Sequence, residues 1–595
     1  MTTNEIGKLT TTNIQEKANL IWDIANHLHG LFKPHEYGKV ILPMTVLKRF
    51  DDALSKTKNE VLELNKKLND QKTIDTIRDG LLCQKAGYDF YNTSPFTFEN
   101  LLADPDNIAD NFDQYLKGFS DNVKDIISNF KFDQTIETMN KGNVLYIVVQ
   151  EFNSKNAEMH PDKITSTDMG YIFEELIRKF SESYDEQAGA HFTSRDIIYL
   201  MAELLIANEK KEIKKNGLVK TAYDMAMGTS QMLGCLDEKL KEIHPDSKLT
   251  LFGQEFNPET YAIAKADMLI KDGDAQNMKF GDTLNNDQFS GYEFDYIISN
   301  PPFGIDWKRE EKDVKHEYNK LGFDGRFGPG LPSISDGQLL FLLNGVKKLK
   351  EGSGRMAIIQ NGSSLFTGDA GSGPSEIRRY LIENDLLEAI IQLPTELFYN
   401  TGISTYIWLV TKNKDKSRLG KIQLIDASNC FVKRRKNIGK KRVDLDDSTI
   451  DLITNAYVEY KEKSYKHDDL IVESKIFNNE FFGYTKVTVE TPLTDENDKL
   501  ILKKGKPQAD LKKRDTEIIP LQEDVKRFFK ENVLPYNPHA WMDRKKDKIG
   551  YEIPFNRLFY KFIPPKKSDD IFIDIKQLEE EETKLMRELF GDEFN

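Results

Sequence analysis

FDYIISNPPFG, Phe294–Gly304, is an apolar run ended abruptly by Asn300-Pro301-Pro302-Phe303. Runs of this kind belong to strands buried on both faces, which lack the polar alternation of half-exposed ones. Working outward, similar short runs recur as LVKTAYDMA (218–226), KLTLFGQE (248–255), GRMAIIQ (354–360), LLEAIIQLP (386–394) and TYIWLVT (405–411). Helical patterns such as DGQLLFLLNGVKKLK (336–350) lie between them. Strand and helix in series predict an α/β domain built on a mostly parallel sheet with helices on both faces. The link TELFYNTGIS between the last two runs is too short for a helical crossover, so the final strand is expected to run antiparallel.

On the N-terminal side, from Asn19 to about Asn140, apolar residues recur at i, i+3 and i+4 in LIWDIANHLHG and VILPMTVLKRFDDAL, predicting helices, with Gly30 as a stop. The pattern changes near Ser166 and weakens again beyond Cys430. Three regions are therefore expected: a helical domain over 1–165, an α/β domain over 166–430 and a C-terminal region over 431–595, read as mostly helical. DENDKLILKKGKPQADLKKRDTE is read as a polar surface loop or insertion. In SDDIFIDIKQLEEEETKLMRELFG, Ile571, Ile575, Leu578, Leu585 and Leu589 form one stripe of an acidic helix, suited either to its own domain or to a partner subunit.

At 595 residues, 39% of them hydrophobic and 30% charged, the chain can bury more than one core. No apolar stretch approaches the roughly 18–20 residues that span a bilayer, and MTTNEIGKLTTTNIQEK has no apolar signal region, so a cytoplasmic protein without membrane contact is expected. Cys83, Cys235 and Cys430 are far apart, which argues against disulfides or a zinc site and leaves no metal ligand set. The formal charge of −14 counts against a nucleic-acid grip spread over the whole surface. It leaves room for a partner or for a local patch, and the clearest basic run is VKRRKNIGKKR, Val432–Arg442, either a solvated face or a phosphate contact.

Open parallel sheets bind ligands beyond the carboxyl ends of their strands, and the informative residues fall there. The first strand ends in DMAMGTSQML: Asp224 can attract a cationic group, and Gly228-Thr229-Ser230 form a tight turn that lets backbone approach a ligand. The second ends in GQEFNPET, placing Glu255 where a carboxylate can accept ribose hydroxyls; FGDTL supplies Asp282, able to accept from an adenine amino group. Either acid alone also reads as a helix cap or turn former. Neither GxGxxG nor GxxxxGK[ST] occurs, so a dinucleotide or P-loop site is not indicated. The prolines of Asn300–Phe303 fix φ and remove two backbone donors, so the loop presents rigid acceptors beside an aromatic face. The side-chain oxygen of Asn300 and the carbonyl of Pro301 can take both N–H bonds of an exocyclic amine, and Phe303 can stack on its ring.

NPPF after an apolar strand, preceded by the glycine turn, Glu255 and Asp282, resembles the S-adenosylmethionine-dependent N6-adenine DNA methyltransferases. GAHFTSRDII (189–198) resembles the cofactor-cradling segment of those members in which it precedes the glycine turn. The likeness is greatest to the modification subunits of type I restriction–modification systems, and extends to HEYGKVILPMTVLKRFDDAL, SLFTGDAGSGPSEIRRYL, LPTELFYNTGISTYIWLVT and DKIGYEIPFNRLFYKF. The resemblance implies a Rossmann-like, seven-stranded mixed sheet as the catalytic core and S-adenosylmethionine as cofactor. It implies that Ala190, His191, Phe192, Thr193, Ser194 and Arg195 wrap the cofactor. Asp224, Gly228, Thr229, Ser230 and Gln231 would hold its methionine portion, Glu255 its ribose and Asp282 its adenine. Asn300, Pro301, Pro302 and Phe303 would hold a flipped adenine whose N6 takes the methyl group by direct displacement, with no metal. It implies as partners double-stranded DNA, a specificity subunit that selects the site, a second copy of the modification subunit and a restriction subunit acting as motor and nuclease; the biological outcome would be protection of host DNA from restriction. Two departures stand out: Met225 where many relatives have proline and Ser230-Gln231 where they have glycine or alanine, and Ser194 where proline is usual. Competing readings are methyl transfer to cytosine N4 or to another amine or amide, and a degenerate fold that only scaffolds a DNA-bound complex. The segment 304–337 is expected to be mobile and to order over DNA, or to be a plain surface insertion.

Overall fold

β-Branched and aromatic runs separated by amphipathic stretches assemble as the alternation predicts. The computed structural model describes residues 19, 21–33, 36–70, 74–165, 168–169, 172–173, 175–176, 193–215, 217–270, 273–399, 401–495, 499–503, 505–562 and 566–590. The first strands are β1 (Val219–Asp224), β2 (Lys248–Glu255), β3 (Met278–Phe280), β4 (Tyr296–Ser299), β5 (Arg355–Asn361), β6 (Leu387–Gln392), β7 (Thr405–Thr411) and β8 (Lys421–Asp426). They are followed by β9 (Val432–Ile438), β10 (Lys441–Asp444), β11 (Lys463–His467) and β12 (Leu470–Asn478). One ten-stranded sheet has the order β11-β12-β8-β6-β7-β5-β4-β1-β2-β3. Its portion from β3 to β6 is the expected seven-stranded mixed sheet, parallel except for β7, which runs antiparallel to both β5 and β6. β8, β12 and β11 extend it beyond β6.

Central strands are buried on both faces: every residue of β4 and β7 is buried, which is why they read as unbroken apolar runs. Phe294, just before β4, stacks on Tyr223 of β1 with ring centroids 4.6 Å apart. Over residues 19–165 the described elements are helices. The helix Gly38–Leu54 is buried almost continuously from Val40 to Phe50 and forms the middle of that domain. The domain meets the sheet where the helix Asp121–Asn129 packs on the helix Pro258–Ile270, with Lys265 Nζ 2.6 Å from the Asp125 carboxylate.

The C-terminal region corrects the expectation of a mostly helical segment. After β12 come β13 (Gly483–Glu490), the short hairpin β14 (Leu502–Lys503) with β15 (Lys506–Pro507), β16 (Asp515–Pro520), β17 (Trp541–Met542) and β18 (Lys548–Tyr551). β16, β17 and β18 all pair with β13 to form a second sheet. β13 buries six of its eight residues, but its partners are shorter and less buried; DTEIIP of β16 buries a single residue. With so few apolar positions, neither a continuous run nor a clear period of two survives in the sequence. Residues 554–595 form a separate compact unit, in which the expected acidic helix spans Ser568–Phe590. Among the described residues no helix is long and apolar enough to cross a membrane.

A buried charge network joins the seven-stranded portion to its extension. Arg355 of β5 lies 2.8 Å from Glu388 of β6, both nearly inaccessible. Tyr457, on the helix Asp447–Glu459, donates to Glu388 (2.8 Å) and accepts from Arg355 (2.6 Å), while Arg418 stacks on its ring. Removing one partner of such a cluster leaves desolvated charge without compensation, at a cost of about 3–5 kcal/mol. Glu388→Gln should therefore lower the unfolding free energy of the full-length protein, read from its urea midpoint, by an amount of that order. An unchanged midpoint would show that the two arginines find other counter-charges.

Candidate active site

The sheet reverses its direction of growth between β1 and β4, with β2 and β3 on one side and β5 on the other. At such a switch point the carboxyl ends of neighbouring strands diverge and leave a crevice. Asp224 ends β1 and is completely buried. Its Oδ1 accepts from Ser299 Oγ at the end of β4 (2.7 Å) and from the Ala226 N–H (3.0 Å). Its Oδ2 is buried and, among the described residues, has no hydrogen-bond partner. Burial pushes the carboxyl up to about 7, with the hydrogen bonds from Ser299 and Ala226 pulling the other way and the nearby Glu255 charge adding to the rise.

The turn after β1 is held from the neighbouring strand. Met227 N–H donates to the Gln254 carbonyl (3.1 Å) and Gly228 N–H to Glu255 Oε2 (2.8 Å), while Glu255 Oε1 accepts from the Asn257 N–H (2.7 Å). Glu255 thus faces the crevice and also fixes the glycine turn. A side chain at Gly253 would place its Cβ 2.2 Å from Met227 Sδ, so the turn approaches β2 as closely as glycine permits. Gly228 and Ser230 both have positive φ, +53° and +67°. For serine this is an unfavourable conformation, costing of order 1–2 kcal/mol, and it stands where relatives of the resembled family carry a smaller residue. Ser230 is buried with its Oγ toward Met278 Sδ (3.9 Å), beneath the turn rather than in the crevice.

Asp282 follows β3 and accepts from the Leu284 N–H (2.9 Å); Thr283 Oγ1 donates to the Met225 carbonyl (2.6 Å). Burial, and next a hydrogen bond to Asp282, raise the Glu310 carboxyl above its ordinary value. Arg309 beside it lies over the ring of Phe256, 4.9 Å from the centroid. The segment 304–337 is thus packed around the Asp282 loop. It contains the helix Glu311–Leu321, buries Trp307, and through Arg326 donates to the carbonyls of Thr283 (2.6 Å) and Leu284 (2.9 Å).

Asn300 follows β4 directly. Its Nδ2 donates to Thr193 Oγ1 (2.8 Å), and its Oδ1 is buried without a partner among the described residues. Pro301 is buried, Pro302 exposed, and Phe303 half-buried against the core. One cavity collects Thr193, Asp224, Gly228, Thr229, Gln231, Glu255, Asp282, Asn300 and Pro302 from the residues singled out in the sequence. Ser194 and Arg195 do not line it. Ser194 is the buried residue before the helix Arg195–Ile206, and Arg195 points to Tyr199 (3.4 Å) and Glu238 (3.8 Å). Ser230, Pro301 and Phe303 are also absent from its wall. Ala190, His191 and Phe192 lie outside the described residues.

The cavity also takes Ile198, Met225, Met227, Met232, Phe256, Thr283 and Phe341, which the sequence reading had not assigned to it. Phe256 was recoverable, since an aromatic directly after a strand-end acid in GQEFNPET has no core strand to join. Phe341 sits inside a helix pattern, indistinguishable from core.

An orphaned carboxylate oxygen at Asp224, an acid between the β2 tip and the turn, and Asp282 flanked by an aromatic ring fit the ammonium, ribose and adenine of S-adenosylmethionine. Comparison with known proteins agrees. Residues 165–497, more than half of the chain, match the N-6 DNA Methylase family, and residues 17–152 match the HsdM N-terminal domain. The MjaIX type I restriction enzyme methylase subunit of Methanocaldococcus jannaschii is 24% identical over 447 residues, covering 71% of this chain and 74% of its own. The MpnII methylase subunit of Mycoplasma pneumoniae is 25% identical over 457 residues, covering 70% and 80%. The crystal structure of a type I restriction–modification methyltransferase subunit from Streptococcus thermophilus shares the fold, with a TM-score of 0.59 at 22% identity over 79% of this chain and 97% of that one. The family match and the two methylase-subunit relatives lead to one conclusion: the chain belongs to the N-6 DNA Methylase family, as an HsdM-like, adenine-specific DNA methyltransferase.

Proposed function

We propose that this chain is the catalytic subunit of a type I modification complex, methylating N6 of an adenine turned out of double-stranded DNA at a site chosen by a separate specificity subunit. The observation that carries the reading is Asn300, whose amide nitrogen is held by Thr193 while its buried oxygen has no partner among the described residues. An amide fixed in that sense offers an acceptor, which is what an exocyclic amine requires. S-adenosylmethionine, when bound, supplies a methyl group on a positively charged sulfur.

The chain's own residues do the remainder. Asp224 Oδ2 receives the ammonium of the cofactor, Glu255 its ribose hydroxyls and Asp282 its adenine, with Phe256 offering a ring face beside Asp282. Asn300 Oδ1 and the Pro301 carbonyl accept the two N–H bonds of the target amine, drawing its lone pair out of conjugation with the ring. Phe303, half-buried, has a face left for the base. The region 1–165 closes on DNA, 166–430 carries the chemistry and 431–595 docks on the specificity subunit. Two catalytic subunits would serve the two strands of a site, and cleavage would belong to a separate restriction subunit. Support for the division of labour comes from the relatives, which are named as methylase subunits of type I restriction enzymes.

Transfer of labelled methyl from S-adenosylmethionine to DNA, measured on the chain co-purified with its specificity subunit and read as nucleosides, tests the reaction. Label should appear in N6-methyladenine, and Asn300→Ala should reduce kcat by about 10²–10³-fold. Label in N4-methylcytosine, or none from a complex that binds both DNA and cofactor, would overturn the adenine assignment. Thr193→Val should lower kcat by up to about 10²-fold through misorientation of Asn300, with cofactor affinity preserved and Thr193→Ser restoring the rate. A loss of cofactor affinity at unchanged kcat would instead make Thr193 only a wall of the cofactor site.

Asp224 gives an opposite pair of effects. Its carboxyl is raised to about 7, so the native state holds that proton more tightly than the unfolded chain does. Stability therefore falls as pH rises from the ordinary carboxylate value of about 4 towards 7, and stays lower above it. Asp224→Asn should raise the thermal midpoint of the cofactor-free protein more at pH 8 than at pH 5, while weakening S-adenosylmethionine binding by about 10- to 100-fold. Calorimetry at both pH values and titration with the cofactor check the two signs. A variant less stable than wild type at pH 8 would contradict the burial argument.

A further inference from the structure

An acidic enzyme that acts on a polyanion needs a local cationic surface in the right place. The basic run VKRRKNIGKKR forms the antiparallel hairpin β9–β10, which pairs with no other strand. Lys433, Arg435 and Lys440 are exposed on it and, among the described residues, form no ion pair within 4 Å. Arg434 is paired with Asp444 and Arg442 with Glu396, so the local acids are already engaged by other cations. A solvated face in a chain of net charge −14 has no reason to gather unpaired cations on one short element.

The hairpin is also fixed in a specific position. Lys441 is buried, and its Nζ donates to Asp196 (2.8 Å) and to the Leu397 carbonyl (2.9 Å). The Leu445 N–H donates to the same Asp196 carboxylate (3.0 Å). The Lys440 and Arg442 N–H groups donate to the carbonyls of Tyr399 (2.9 Å) and Glu396 (2.8 Å), in the loop after β6. That loop leaves the carboxyl end of β6, which points the same way as β4, so hairpin and catalytic loop share one edge of the sheet. Asp196 stands in the first turn of the helix Arg195–Ile206, three residues after Thr193, whose hydroxyl holds Asn300. A chain of hydrogen bonds and the three-residue step from Asp196 back to Thr193 therefore link the hairpin's root to the Asn300 amide.

We propose that the β9–β10 hairpin is a DNA-backbone clamp, with Lys433, Arg435 and Lys440 contacting phosphates that flank the extruded adenine. The clamp rests on the methyltransferase reading above and adds the surface by which the duplex is held over the site. Its contacts are with phosphates, so it contributes affinity without sequence preference and leaves selection of the site to other surfaces.

The test uses the full chain co-purified with its specificity subunit and a duplex containing the target site. Binding is measured across a salt series for wild type, for Lys433→Ala/Arg435→Ala/Lys440→Ala, and for a control outside the hairpin, Lys461→Ala/Lys466→Ala, at the β11 edge of the sheet. Each phosphate contact contributes about 0.9 to the slope of log K against log salt, so the triple variant should lose about 2 to 3 units of slope. Its affinity should fall about equally for target and non-target duplexes, with S-adenosylmethionine affinity and assembly with the specificity subunit unchanged, while the control behaves as wild type. A triple variant with wild-type slope and affinity would overturn the clamp and leave the methyltransferase reading intact. A triple variant that no longer assembles would overturn it in favour of a subunit-docking surface. Wild-type complex that binds cofactor but neither binds nor methylates DNA would overturn both.

Discussion

Everything at the crevice depends on a carboxylate that folding has taken out of water. Asp224 lies at the one place where two adjacent parallel strands leave the sheet in opposite directions, and Ser299 reaches across from β4 to hold one of its oxygens. That hydrogen bond aligns the tip of β1 with the tip of β4, and so sets where Asn300 emerges. Among the described residues the other oxygen is left buried and without a hydrogen-bond partner, a costly arrangement. On the reading proposed above, the ammonium of the cofactor offsets that cost. The glycine turn shows the same economy of parts, since Glu255 both fixes the Gly228 N–H and faces the cavity.

The catalytic loop shows how rigidity is divided between local and distant causes. Two prolines remove donors and fix the backbone, a property that travels with the local sequence. The sense of the Asn300 amide does not travel with it. It is set by Thr193, more than a hundred residues earlier, which accepts from the amide nitrogen and so leaves the buried oxygen as the acceptor. From Thr193 the chain runs through Ser194 into a helix whose first-turn Asp196 anchors the basic hairpin, so three distant segments converge on one short stretch. Such convergence holds the basic hairpin, Thr193 and the Asn300 amide in a fixed mutual geometry.

Much of the site was legible because the informative residues sit at strand tips, where identity and position are coupled locally. KLTLFGQE became β2 with the bounds read from the sequence, and Glu255 therefore fell at its carboxyl end. Asp224, Asp282 and Asn300 follow the same logic, and the short link after β6 announced the antiparallel β7. Arg195 and Ser230 were less legible. Their neighbours line the cavity, but helix phase turns Arg195 toward Tyr199 and Glu238, and a left-handed backbone tucks Ser230 under the turn. The sheets after Cys430 were missed because one-faced strands such as DTEIIP carry too little apolar residue to show a period.

By itself the sequence determined the α/β class, the direction of β7, the helical character of the N-terminal domain and which residues stand at the strand ends. Each of these follows from interactions between near neighbours: periodic burial, proline restriction and the reach of short connections. Only the tertiary structure decided which strand tips adjoin, which oxygen of Asp224 is left without a partner, which way Asn300 presents its amide, and that a basic hairpin shares their edge of the sheet. Those properties belong to contacts between residues tens to hundreds of positions apart, and their strength comes from burial that no local stretch of chain can create alone.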